Sequence, residues 1–141
     1  MKSLVWLRND LRMDDNPALK HACLNSDEVH CLYLYQPDQM KLHNVASCKI
    51  EFIIENLKDL ESSLSKINVP LTVITSKCFD DCPNLIIDVI NKRSIKKVYW
   101  NNQFGFDEQR RDSAVKDVLD RNNIYSESFD DQVIYLSLIH I

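Results

Sequence analysis

A single glycine, Gly105, stands among the 141 residues of the chain, and that scarcity excludes more than any one motif. Phosphate-cradling loops and dinucleotide fingerprints need several glycines, because only a backbone without side chains can approach a pyrophosphate closely. Nicotinamide binding of the usual kind and P-loop nucleotide hydrolysis are set aside on that ground. Basic charge is also scarce: 17 Lys and Arg face 21 Asp and Glu, a net charge of −4. That balance argues against this chain alone gripping a phosphate backbone, since nucleic-acid modules usually carry a basic face. No run approaches the roughly 18 consecutive apolar residues of a membrane span. Met1 to Arg8 has no long apolar core of a secretory signal. Both absences point to a cytoplasmic protein that stays out of membranes.

Repeats, low-complexity tracts and linkers are missing as well, and 45% of the residues are hydrophobic, enough for one core of ordinary size. The five cysteines, Cys23, Cys31, Cys48, Cys78 and Cys82, are odd in number and scattered, so reduced thiols are expected. Cys78 and Cys82 form a C-x3-C pair with no second pair or nearby histidine to complete a metal set. Buried small hydrophobes describe them better.

What is present is a regular alternation. Ser3 to Arg8 reads as a buried strand, after which Asn16 caps a helix with Pro17 at its first position, where a missing N–H costs nothing. His30 to Gln36 is a second strand, closed by Pro37. From about Asn44 to Lys66 the set Ile50, Ile53, Leu57, Leu60, Leu64 and Ile67 recurs at helical spacing. Leu71 to Thr75 is a third strand, and Asn84 to Arg93 a shorter helix carrying Leu85, Ile86, Val89 and Ile90. Lys97 to Asn101 is the fourth strand. Asp107 opens a helix with the stripe Ala114, Val115, Val118 and Leu119, and Tyr125 to Phe129 is the fifth strand. Five strands separated by helices imply right-handed crossovers and an α/β fold: a doubly wound, five-stranded parallel sheet, Rossmann-like. The common strand order is 3-2-1-4-5. In that order the topological switch, where such folds place ligands, falls between the first and fourth strands. The loops flanking it are Asn9 to Asp15 and Asn102 to Phe106.

The first of these loops is crowded with charge: Arg8, Asp10, Arg12, Asp14 and Asp15. Two readings stand side by side, a network stabilising the loop and a fastening to another domain through arginine forks. Trp6, Tyr33, Tyr99 and Trp100 fall within strands and read as core. Lys96 and Lys97 read as a solvated strand entrance.

The opening LVWLRNDLRMDDNPAL resembles that of the DNA photolyase and cryptochrome family. So do LYLYQPDQ with the following His43 and Asn44, WNNQFGFDEQRRD from Trp100 to Asp112, and FDDQVIY from Phe129 to Tyr135. The resemblance covers nearly the whole chain and points to the amino-terminal antenna-chromophore domain, residues 1–135. It implies a domain that holds a light-harvesting pigment, often 5,10-methenyltetrahydrofolate, with a deazaflavin, a flavin or no pigment as the alternatives, and that passes excitation to FAD without bond chemistry of its own. The FAD, the lesion-binding surface and the splitting of cyclobutane pyrimidine dimers would belong to a helical domain beyond residue 141. That domain is the implied partner, and damaged DNA is met only through it. The chain is expected to be a monomer and, alone, not catalytic. Residues 136–141, LSLIHI, depart from the family pattern and read as a truncated or chimeric end.

The resemblance also implies site residues. Folate-using members set an Asn-Glu pair at the start of the fourth helix against the pterin, and the matching positions are Asp107 and Glu108. A carboxylate suits a pterin because two oxygens can accept from the exocyclic amino group and the adjacent ring N–H. Asp107 departs from the family's asparagine, exchanging an amide donor for negative charge. His43 matches a second contact segment at the pterin edge. Without the resemblance, Asp-Glu at a helix start is ordinary capping and dipole chemistry, and His43 is a surface histidine. Two other functions remain open: a cryptochrome-type photoreceptor, and a stand-alone α/β nucleotide-binding or interaction domain.

Overall fold

The computed structural model describes residues 1–8, 10–13, 15–36, 47–76 and 81–130. Five strands and four helices alternate within them: β1 (Lys2–Leu7), α1 (Pro17–Asn25), β2 (Glu28–Tyr35), α2 (Ser47–Ser65), β3 (Leu71–Thr75), α3 (Cys82–Arg93), β4 (Lys97–Asn101), α4 (Phe106–Arg121) and β5 (Tyr125–Phe129). All pairings are parallel, in the order β3-β2-β1-β4-β5. The expected fold and strand order are therefore found. β1 lies at the centre, with Val5 opposite Cys31 on one side and Tyr99 on the other.

Strand residues alternate between two cores because successive side chains point to opposite faces. Val5, Leu7, Cys31 and Tyr99 face α1 and α2, where Ala18, Leu19, Ala22, Leu60 and Leu64 close over them. Leu4, Trp6, Leu32, Leu34, Val98 and Trp100 face α3 and α4, meeting Ile86, Val89, Ile90, Val115 and Leu119. Trp6, Tyr33, Tyr99 and Trp100 are all buried, as expected of core aromatics. Each fully buried large apolar side chain contributes about 1.5–3 kcal/mol.

Boundaries differ from the sequence expectation at a few ends. α3 begins at Cys82, with Pro83 in its first turn, two residues before the expected Asn84. α2 ends at Ser65, so Ile67 falls past the helix and is exposed rather than part of its stripe. Cys31 and Cys82 are buried and Cys23 and Cys48 exposed, all four as free thiols; Cys78 lies outside the described residues. Burial pushes the Cys31 thiol up to about 12.

The scarcity of glycine is met by other residues. Among the described residues, left-handed backbone occurs at Asp15, Asn68, Ser94 and Asn123 and at no glycine. Asn and Asp tolerate this region better than other side-chain-bearing residues, because a short polar side chain can bond locally. Ser94 thus ends α3 with φ 56°, its N–H donating to the Ile90 carbonyl.

Candidate functional site

The carboxyl ends of β1 and β4 meet at the switch point, and the loops leaving them carry the two least generic stretches of the sequence. Their floor is a closed hydrogen-bond network. Asn16 caps α1, its Oδ1 accepting from the Leu19 N–H at 3.2 Å. Asn101, at the end of β4, does the same from across the sheet: its Oδ1 accepts from the Ala18 N–H at 3.1 Å. Its Nδ2 donates to Asp10 Oδ2 at 2.6 Å and to Asn16 Oδ1 at 2.7 Å. Asp10 in turn accepts from the Arg8 backbone N–H at 2.8 Å. Asp10, Asn16 and Asn101 are only 3–5% exposed, so the amide and carboxylate groups of the floor satisfy one another.

Arg8 leaves β1 on the opposite face. Its Nη1 donates to Asp112 Oδ1 at 2.6 Å and its Nη2 to the Asn101 carbonyl. Arg111 Nε donates to the same Asp112 oxygen at 3.0 Å, and Arg111 Nη2 to Gln103 Oε1. The two guanidinium carbons lie 4.5 Å and 5.0 Å from the Trp6 ring centroid, and Trp100 meets Trp6 edge-on at 5.8 Å. Burial and the neighbouring Arg111 pull the Arg8 pKa below its ordinary value, while Asp112 and Asp10 favour its charge. The cluster ties β1, β4 and α4 into one unit.

These contacts assign Arg8 and Asp10 to the first reading of the charged loop, a network that stabilises it. Arg8 and Asp10 are buried and act within the domain. Arg12 is exposed and donates to the Asp15 carbonyl at 3.0 Å. Of the charged loop residues described, Arg12 and Asp15 are exposed; Asp14 lies outside the described residues. Asn101, Arg111 and Asp112 were not picked out from the sequence as members of this network. One signal was available, since a polar asparagine following the apolar and aromatic run Val98 to Trp100 needs buried partners.

The rim differs. The β4–α4 loop turns outward after Asn102, whose N–H donates to the Phe129 carbonyl at 2.7 Å, and α4 starts at Phe106 with Gly105 as N-cap. Asp107 and Glu108 sit in its first turn, each half-buried. Phe104 and Phe106 are 40% and 80% exposed beside them. A helix start with two carboxylates and two open aromatic faces can accept hydrogen bonds from a flat heteroaromatic donor and stack on it. The two phenylalanines were not singled out from the sequence, where they look like any apolar residues of a loop. His43 and residues 136–141 lie outside the described residues. No group of three metal-ligating side chains occurs among the described residues, and none of the described helices is long and apolar enough to cross a membrane.

A separate groove of about 660 Å³ opens at the other end of the sheet, lined by Cys23, Glu28, His30, Asn68 and Pro70 among others. Its charges are engaged: Glu28 lies 3.6 Å from His30 Nε2 and 3.7 Å from Lys2 Nζ, and Asp27 binds the terminal amine.

A family model described as DNA photolyase matches residues 3–137. A deoxyribodipyrimidine photo-lyase of Salmonella typhimurium is 34% identical over 132 residues, covering 93% of this chain and 28% of that protein. Cryptochrome-1 of Spalax judaei is 36% identical over 117 residues, 82% of this chain and 19% of that protein. The crystal structure of an archaeal photolyase from Sulfolobus tokodaii, described with two FAD molecules, superposes with a TM-score of 0.77 at 22% identity. It covers 92% of this chain and 29% of that one. The chain thus spans under a third of the length of these relatives.

Proposed function

The chain belongs to the DNA photolyase family, and on that premise we propose that it is the amino-terminal light-harvesting domain of a deoxyribodipyrimidine photolyase. It holds 5,10-methenyltetrahydrofolate, which supplies absorption of near-ultraviolet or blue light. Glu108, with Asp107 beside it, accepts from the donor edge of the pterin, and Phe104 or Phe106 covers its face. His43 completes the contact from a segment outside the described residues. The helical FAD-binding domain of the full-length protein is the partner that receives the excitation and carries out dimer splitting on damaged DNA. Arg12 and Asp15 are suited to fasten the two domains. The protein works in the cytoplasm as a monomer.

The observation that carries this reading is the contrast between floor and rim. Asp10, Asn16 and Asn101 fill the switch-point crevice with bonds to one another, which disfavours a ligand inserted deep between β1 and β4. The exposed start of α4 favours a planar ligand lying across the rim, with donors that match a carboxylate.

The test is an absorption spectrum of the purified chain mixed with methenyltetrahydrofolate, beside the Glu108→Ala variant. A shifted, retained near-ultraviolet band in the parent that is lost in the variant supports the folate site. A band retained with FAD and not with folate would replace it with a flavin site. Cryptochrome-1 at comparable identity supports the second reading, a photoreceptor, and dimer repair by the full-length protein distinguishes the two.

A further inference from the structure

Gly105 is placed where its lack of a side chain matters, although its backbone demands no glycine. Its φ of −64° and ψ of 152° are open to any residue, so the reason for glycine is spatial. A Cβ built there would run into the Glu108 carboxyl group, with the Glu108 Cδ only 2.7 Å away. The carboxyl group of Glu108 therefore folds back over the N-cap residue, three positions earlier in the chain. A glutamate at the third helical position reaching back to the N-cap is the acidic half of a capping box. The positive end of α4 favours a carboxylate in that place. A glutamate engaged with its own helix is turned away from a ligand lying on the rim.

We propose that Gly105 is a positioning residue that sets the resting place of Glu108: the bare Cα lets the carboxyl group fold back onto the first turn of α4, and a rim ligand must draw it out. Gly105 thereby lowers the affinity of the site and makes Glu108 a movable acceptor rather than a fixed one. The proposal rests on the folate reading for its effect on binding, and on the geometry of the chain alone for the contact.

The experiment is a double-mutant cycle on the 141-residue chain with Gly105→Ala, Glu108→Gln and the pair, read in two ways. Without ligand, the side-chain carboxyl carbon resonance of Glu108 is followed by NMR; Gly105→Ala should shift it while the spectrum of the rest of the fold is kept. With methenyltetrahydrofolate, Gly105→Ala should tighten binding about two- to fivefold, the worth of one carboxylate at a helix N-terminus, and should change nothing in the Glu108→Gln background. An unmoved Glu108 resonance overturns the proposal whether or not folate binds. Equal effects of Gly105→Ala in both backgrounds overturn it as well, since the alanine would then act without Glu108. A shifted resonance in a chain that binds no folate upholds the positioning role and removes the folate reading instead.

Discussion

The floor and the rim of the sheet's carboxyl edge are made of similar residues, carboxylates, amides and aromatics within a few positions of one another, yet they have opposite accessibility. On the floor, Asp10, Asn16 and Asn101 close a circuit in which buried donors meet buried acceptors. Arg8 and Arg111 share Asp112 and flank Trp6 nearby. At the rim, Phe104 and Phe106 stay largely open and Asp107 and Glu108 half-open at the start of α4. Polar residues at a switch point are thus no guide to function until their partners are known. Those bonded inward hold the two loops in place, and those at the surface are the ones proposed to meet a ligand.

Substitutions sharpen this contrast. The largest effect is expected from Asp112→Ala, which leaves two buried guanidinium groups without their shared carboxylate and should destabilise the chain by about 3–5 kcal/mol, measured by urea unfolding. Equal stability to the parent would mean that Arg8 and Arg111 find other acceptors and that the floor is not closed. Asn101→Ala removes a cross-sheet cap from α1 and one of the two donors to the Asp10 carboxylate, and should cost about 1–3 kcal/mol by the same measurement. Folate affinity of the folded fraction should hold in both variants.

Glu108→Gln should reverse the pattern. Stability changes by less than about 1 kcal/mol, the range of a carboxylate at a helix N-terminus, while methenyltetrahydrofolate binding weakens about tenfold for loss of a charge-assisted pair. A loss of stability with unchanged binding would make Glu108 a floor residue in function.

The smallest effect lies at the opposite end of the sheet. His30 Nδ1 is 3.1 Å from Arg93 Nη1, which requires the neutral imidazole as acceptor. Burial, and then Arg93, lower the His30 pKa, with Glu28 opposing. Since the folded chain binds this proton less tightly than the unfolded chain, stability is complete above the unfolded value of about 6.5 and falls as pH drops below it. Melting temperatures between pH 7.5 and 5 should show this slope, reduced in His30→Gln; an unchanged slope would remove His30 as its source.

The alternation of strands and helices, the Asn16 cap with Pro17 and the apolar stripes of α2 and α4 were legible in the residues themselves. They depend on local chemistry and on periodicities of 2 and 3.6. The single glycine likewise set aside the glycine-rich phosphate loops. Its place opposite the Glu108 carboxyl group, by contrast, appears only when side chains have positions. The same holds for the partner of Arg8, which is Asp112 at a distance of 104 residues, and for Asn101, which caps a helix that begins 84 positions before it. Residues 8, 101 and 112 are adjacent only because β1 lies beside β4 and α4 returns over them. Sequence determined the elements, the family they resemble and the two least generic loops; tertiary packing decided which of their polar groups are consumed within the fold and which stay at the surface, because a hydrogen bond between distant residues exists only where the sheet has brought them together.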